Sequence, residues 1–235
     1  MIISIIIPAL DEAATIAATL RRLQPFRESG HEVIVVDGGS RDETRAVAAA
    51  FADRVLVAPQ GRARQMNAGA MTATGAVLWF LHADTLAPAD ALDQIDGARA
   101  RGDYWGRFNV RLAGRSPLLH VVAWAMNRRS CLSGIVTGDQ GLFVDRALFE
   151  TLGGYPDQPL MEDVALSRRL KRRGNPACLP GPLITSARRW ERHGIWSTII
   201  LMWCLRLAYF LGAAPRALHR LYERQASRPV RRRLL

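Results

Sequence analysis

Three apolar runs in this chain lead into acids. Ile2–Ile7 is followed by Asp11 and Glu12, Glu32–Val36 by Asp37, and Val77–Leu81 by His82-Ala83-Asp84. One acid after a strand means little. Three on the same rim of one sheet suggest a site for a cation or for ribose hydroxyls. A further pair, Glu162-Asp163, opens a helical pattern whose far end is basic, as the helix dipole prefers. Asp139 lies in the turn Thr137-Gly138-Asp139, just before another short apolar run.

The elements that must position these acids follow from periodicity. The β-branched run Ile2–Ile7 reads as a parallel strand covered on both faces and ended by Pro8. Residues 13–23 read as a helix, Glu32–Val36 as a strand, Asp42–Phe51 as a helix and Arg54–Val57 as a strand. Arg62–Thr72 is a helix with Gly75 as its stop, Val77–Leu81 a strand and 88–99 a helix. Strand, loop and helix repeating at this spacing predict an open, mostly parallel α/β sheet of Rossmann-like type, with ligands beyond the carboxyl ends of its strands. The second half is less regular: strands at Arg107–Leu112 and Gly141–Val144, helices at 117–129 and Glu162–Arg173.

Composition bounds the classes. The chain has 235 residues, 49% hydrophobic and 23% charged, which suits one globular domain with a terminal appendage and excludes a disordered chain or a polytopic membrane protein. Net charge is +11, and residues 186–235 carry eleven arginines against two acids. A basic end of that kind points to an anionic membrane, to nucleic acid or to a solvated helix face. No RNA- or DNA-binding motif accompanies it, so no specific nucleic-acid partner is expected. Cys131, Cys178 and Cys204 form no close pair, which predicts no disulfide and a reducing, cytoplasmic setting. The N-terminus lacks the basic region and cleavage site of a secretory leader. Residues 195–214 are apolar enough nearly to span a bilayer, but the central Arg206 offsets that gain. The expectation is a helix packed on the domain, with peripheral contact at the inner face of a membrane.

The motifs resemble those of family 2 glycosyltransferases. Ser4-Ile5-Ile6-Ile7-Pro8-Ala9-Leu10-Asp11-Glu12 resembles that family's opening strand and loop, and Val35-Val36-Asp37-Gly38-Gly39-Ser40-Arg41-Asp42-Glu43-Thr44 its second signature. Arg62-Ala63-Arg64-Gln65-Met66-Asn67-Ala68-Gly69 is similar to the arginine-asparagine-glycine segment. His82-Ala83-Asp84 stands where the family carries DxD, Met161-Glu162-Asp163 where it carries ED, and Arg189-Trp190 at the end of QxxRW. The match covers roughly residues 3–193 and is most similar to a short bacterial subgroup with His-Ala-Asp-Thr in place of DxD.

The resemblance implies a GT-A fold over residues 1–193, followed by an apolar helix and Arg-rich tail over 194–235. It implies transfer of a sugar from a nucleoside diphosphate donor, UDP by default, to an acceptor hydroxyl, assisted by Mg²⁺ or Mn²⁺ and inverting. Asp84 becomes the metal ligand and Asp163 the general base, with His82 and His193 as further candidate ligands. Pro8, Ala9, Glu12, Asp37, Asn67 and Ala83 would hold the nucleotide sugar, and Arg62 or Arg64 the diphosphate. Being two apart on a helix, these arginines face differently, so one of them reaches phosphate. Asp139, Glu162, Arg189 and Trp190 fall on the acceptor side, which a hydrophobic or lipid-linked acceptor would suit.

Three departures matter. His82 replaces the first DxD acid, Gly38 a usual second acid after Asp37, and Ser186 the glutamine of QxxRW, which favours a non-processive enzyme. A sugar nucleotidyltransferase of similar architecture is the rival enzyme. It would want a glycine-rich, lysine-bearing loop after the first strand, and Pro8-Ala9-Leu10-Asp11-Glu12 offers neither.

Overall fold

The computed structural model describes residues 1–226; the arginine-rich end at 228–235 lies outside them. The β-branched runs form the middle of the sheet. Strands β1 (Ile3–Ala9), β2 (Glu32–Asp37), β3 (Arg54–Val57) and β4 (Val77–Phe80) are all parallel, in the order β3-β2-β1-β4. Every residue of β1 is buried. Ile3, Ile5 and Ile7 pack under α1 (Ala13–Glu28) and α4 (Ala91–Ala100), whereas Ile6 packs under α3 (Arg62–Thr72) on the opposite face. Helices on both faces explain the unbroken apolar runs. In register, Ala9 pairs with Asp37, so the acid-bearing loops of β1 and β2 leave the sheet side by side.

The second half extends the sheet with mixed pairing. β7 (Phe143–Asp145) runs antiparallel between β4 and β6 (Trp105–Ala113). β8 (Ala177–Ser186) pairs parallel with β6, and β5 (Thr85–Leu86) closes the edge antiparallel to β8. The eight-stranded, mostly parallel α/β sheet of the described residues agrees with the expected architecture. The remaining helices are α2 (Thr44–Ala49), α5 (Leu118–Ser133), α6 (Arg146–Thr151), α7 (Glu162–Lys171), α8 (Arg188–His193), α9 (Ile195–Phe210) and α10 (Pro215–Ala226).

Several boundaries differ from expectation, each for a physical reason. Pro8 does not end β1, and α1 continues through Pro25 to Glu28. Strand β8 went unread because Pro180-Gly181-Pro182 sits in its middle. The strand accommodates these residues where its register with β6 shifts, at Phe108/Val110. The apolar stretch 195–214 is a shorter helix, α9, followed by a turn and a second helix, α10. No helix of the described residues is long and apolar enough to cross a membrane. Cys131 and Cys178 form a disulfide with Cα atoms 6.0 Å apart, correcting the expectation of none. Residues 47 apart in sequence meet because α5 packs on β6, the neighbour of β8. With this disulfide, the cysteines no longer point to a reducing compartment.

Candidate active site

A cavity of about 860 Å³ opens at the carboxyl ends of β1 and β4. Pro8, Ala9 and Glu12 from the first strand and loop, and His82, Ala83 and Asp84 after β4, form one flank. Arg62 enters from the start of α3, Asp139 from the turn Gly138–Gln140, Asp163 from the start of α7, and Arg189 and Trp190 from α8. Side chains spread over 180 residues of sequence thus meet in one space.

Asp163 is held firmly. Its Oδ2 accepts from the Gly138 amide at 2.9 Å and its Oδ1 from the Val164 amide at 2.7 Å. The preceding Met161 takes a left-handed backbone, φ 64°, which is costly for a residue with a side chain and turns the chain into α7 at the cavity wall. Gly138 sits tightly between two site residues: a Cβ there would lie 2.7 Å from His82 Nε2 and 3.9 Å from Asp163 Oδ2. Asp139 accepts from the Thr137 hydroxyl at 2.6 Å.

His82 makes no side-chain hydrogen bond among the described residues, and burial together with Arg62 pushes its pKa below the usual histidine value. It is therefore a neutral imidazole at pH 7, with a ring facing the cavity. Asp84 and Glu12 share one cation: Arg188 Nη2 lies 2.9 Å from Glu12 Oε2 and 3.1 Å from Asp84 Oδ2. Arg62 lies 3.2 Å from Glu162, whose charge raises the arginine's pKa; Glu162 itself is pushed up by burial.

Other predicted residues stand elsewhere. Asp37 is fully buried, and its carboxylate is taken up within its own loop. It accepts from the Gly39 amide at 2.9 Å, the Ser40 amide at 3.0 Å and, closest, the Ser40 hydroxyl. Asn67 clamps Tyr155, donating to its carbonyl at 2.8 Å and accepting from its amide at 2.9 Å. Arg64 pairs with Asp157 on the surface and lines a separate pocket of about 590 Å³ with Arg216 and Arg220. Glu162 and His193 do not line the large cavity.

Sequence reasoning missed four participants. Arg188 bridges the two rim acids. Gln65 donates to the carbonyls of Ala9 and Val36, tying together the ends of β1 and β2. Arg129 of α5 and Arg206 of α9 also line the cavity. Arg206 carries a signal as the one charged residue of α9, but in the sequence alone that charge speaks only to membrane insertion.

The chain resembles known proteins in both sequence and fold. Residues 4–98 match the family model for glycosyl transferase family 2. A Mycobacterium bovis protein described as PGL/p-HBAD biosynthesis glycosyltransferase is 34% identical over 169 residues, covering 65% of this chain and 62% of its own length. The chain therefore spans under two thirds of the length of that relative. Among solved structures, the mannosyltransferase PcManGT from Pyrobaculum calidifontis, in complex with GDP-Man and Mn²⁺, superposes with a TM-score of 0.65 at 21% identity, covering 92% of this chain and 68% of that one. Glucosyl-3-phosphoglycerate synthase from Mycobacterium tuberculosis, with Mn²⁺, UDP and product, gives a TM-score of 0.58 at 22% identity, covering 78% and 70%. The fold is that of the GT-A glycosyltransferases, and residues 4–98 are similar to family 2.

Proposed function

We propose that this chain is a glycosyltransferase that moves a sugar from a nucleoside diphosphate to an acceptor hydroxyl by single displacement, with inversion and without processivity. The convergence of Glu12, Asp84, Arg62, Asp139, Asp163 and Arg189 on one cavity carries this reading. Pro8, Ala9, Glu12 and Ala83 line the end where the donor nucleoside would lie. UDP is the first donor to test.

Asp163 acts as general base. The acceptor oxygen attacks the anomeric carbon, its proton passes to the Asp163 carboxylate, and the bond to the diphosphate breaks. The two amides on Asp163 fix its orientation, so little reorganisation is needed at reaction. Arg62 and Arg189 offer guanidinium groups to the departing diphosphate. Both Nε and an Nη of Arg189 are buried without a hydrogen-bond partner among the described residues, and its guanidinium stacks 3.8 Å over Tyr222.

The fold family implies Mg²⁺ or Mn²⁺. Among the described residues, no three His, Cys, Asp or Glu side chains cluster closely enough to hold an ion by themselves. The donor set nevertheless fits an ion that arrives with the diphosphate, since such ions commonly take only one or two carboxylates from the protein. Asp84, with neutral His82 beside it, would hold it, and it would neutralise charge on the leaving group as a Lewis acid. His193 falls outside this set.

Thermal shift of the full chain with UDP, GDP, CDP and their sugars, with and without Mn²⁺, tests the reading. One diphosphate should stabilise the protein in a metal-dependent way, and Asp84→Ala should abolish the metal dependence. No stabilisation by any of them would overturn the assignment.

The outer face of α9 suggests where the enzyme works. Trp196, Ile200, Trp203 and Leu207 recur at helical spacing, with Trp196 67% and Trp203 70% exposed, and Trp124 of α5 is 64% exposed. Tryptophan favours the membrane–water boundary, and the arginines of residues 186–235 other than the site residues Arg188, Arg189 and Arg206 supply charge for an anionic surface. We propose peripheral contact with an anionic bilayer through this face. Sedimentation with vesicles containing phosphatidylglycerol should be lost in Trp203→Glu and weakened by salt. Equal binding by wild type and variant would refute the contact.

A further inference from the structure

Two pairs of arginines face one cavity. Arg62 and Arg189 repel each other at the donor flank, and Arg129 and Arg206 do so beneath α5 and α9. The second pair is unusual. The Nε and Nη2 of Arg129 and the Nε of Arg206 are buried without a hydrogen-bond partner among the described residues, and neither side chain forms an ion pair there. Burial and Arg206 push Arg129 down to about 10, so Arg129 remains charged near neutral pH. Arg129 Nη1 donates to the Ile135 carbonyl at 3.3 Å; the remaining buried donors of the pair are costly unless an anion joins them.

Their surroundings narrow the ligand. Asp139 and Asp163 are the acids whose charge Arg129 feels, so Arg129 stands near the proposed base, and Arg206 lines the same cavity. Around it the wall is apolar: Val121 and Met126 of α5, and Ile199, Met202 and Trp203 of α9. The same helices carry the exposed tryptophans, so the apolar wall continues out to the protein surface.

We infer that Arg129 and Arg206 form a subsite for the phosphate group of an amphiphilic acceptor, whose hydrocarbon part lies between α5 and α9. The word acceptor rests on the transferase reading above; the binding site itself does not. One arginine pair serves each anionic reactant. The donor diphosphate meets Arg62 and Arg189, and the acceptor phosphate meets Arg129 and Arg206. A phosphate dianion suits two forked guanidinium groups better than a single carboxylate does.

The test uses the full chain and calorimetry with three probes: dodecyl phosphate below its micellar concentration, inorganic phosphate and uncharged dodecyl maltoside. Dodecyl phosphate should bind at least about ten-fold more tightly than either of the others. Arg206→Leu and Arg129→Gln should each lose about ten-fold or more of that affinity, whereas Arg206→Lys keeps part of it. The thermal shift with nucleoside diphosphates should be unchanged in all three variants, which also shows that they fold. Inorganic phosphate binding as tightly as the alkyl phosphate would replace the amphiphile with a water-soluble phosphate and overturn the proposal. So would dodecyl phosphate binding that is indifferent to both arginines. A chain that binds dodecyl phosphate through Arg206 but no nucleotide would retain this subsite and lose the transferase reading; the converse result would do the opposite.

Discussion

Asp163→Asn should lower sugar transfer about 10²–10⁴-fold, the usual contribution of a positioned general base, and leave donor binding unchanged. Asparagine keeps the shape and one acceptor oxygen, so it still accepts from one of the Gly138 and Val164 amides, while its NH2 replaces the oxygen that served the other. What it loses is the ability to take the acceptor's proton. The readout is kcat with saturating donor, beside the nucleotide thermal shift as a control for folding. Asp139→Asn is the informative partner. Asp139 lines the same cavity and accepts from Thr137, so it is the carboxylate best placed to compete for the role. Full activity in Asp163→Asn with loss in Asp139→Asn would move the base to Asp139 and refute the present assignment. Loss of donor binding in Asp163→Asn would show that the residue holds substrate instead.

The second large effect concerns stability. Asp37→Ala removes a fully buried carboxylate that serves two amides and one hydroxyl in the turn Gly38-Gly39-Ser40. The Ser40 amide and hydroxyl are buried and cannot turn to water, so the expected cost is on the order of 3 kcal/mol. For a chain of this size each kcal/mol shifts melting by roughly 2–4 °C, so a fall of about 6 °C or more is expected. Thermal melting without ligand measures it. The resemblance implied that Asp37 contacts the nucleotide. An unchanged melting temperature together with weakened donor binding would restore that role and refute the structural one. The loop also supports the site indirectly: Ser40 Oγ accepts from the Asp11 amide at 2.9 Å, fixing the loop that carries Glu12.

Asp37 shows how far reading motifs reaches. Its place at the end of a strand was legible, because a β-branched run followed by an acid and glycines is a local pattern. Which way its carboxylate turns depends on Ser40 and Gly39, and nothing in the spacing distinguishes a base contact from a loop anchor. Asn67 is similar. Its helix was read to the residue, yet its amide clamps Tyr155, 88 positions away.

The sequence by itself determined the alternation of strands and helices through the parallel half of the sheet, because covered parallel strands and amphipathic helices are written in local periodicity. It also determined the placement of Glu12, Asp84 and Asp163 at element ends, where backbone polarity and open space favour acids. Tertiary structure decided what those acids face. Arg188 reaches Glu12 from 176 residues away, Cys131 meets Cys178, and Arg129 and Arg206 line one cavity only because α5 and α9 both border it. Such partners are chosen by packing between elements distant in sequence, and the energy of a buried charge depends on those partners, which no local pattern carries.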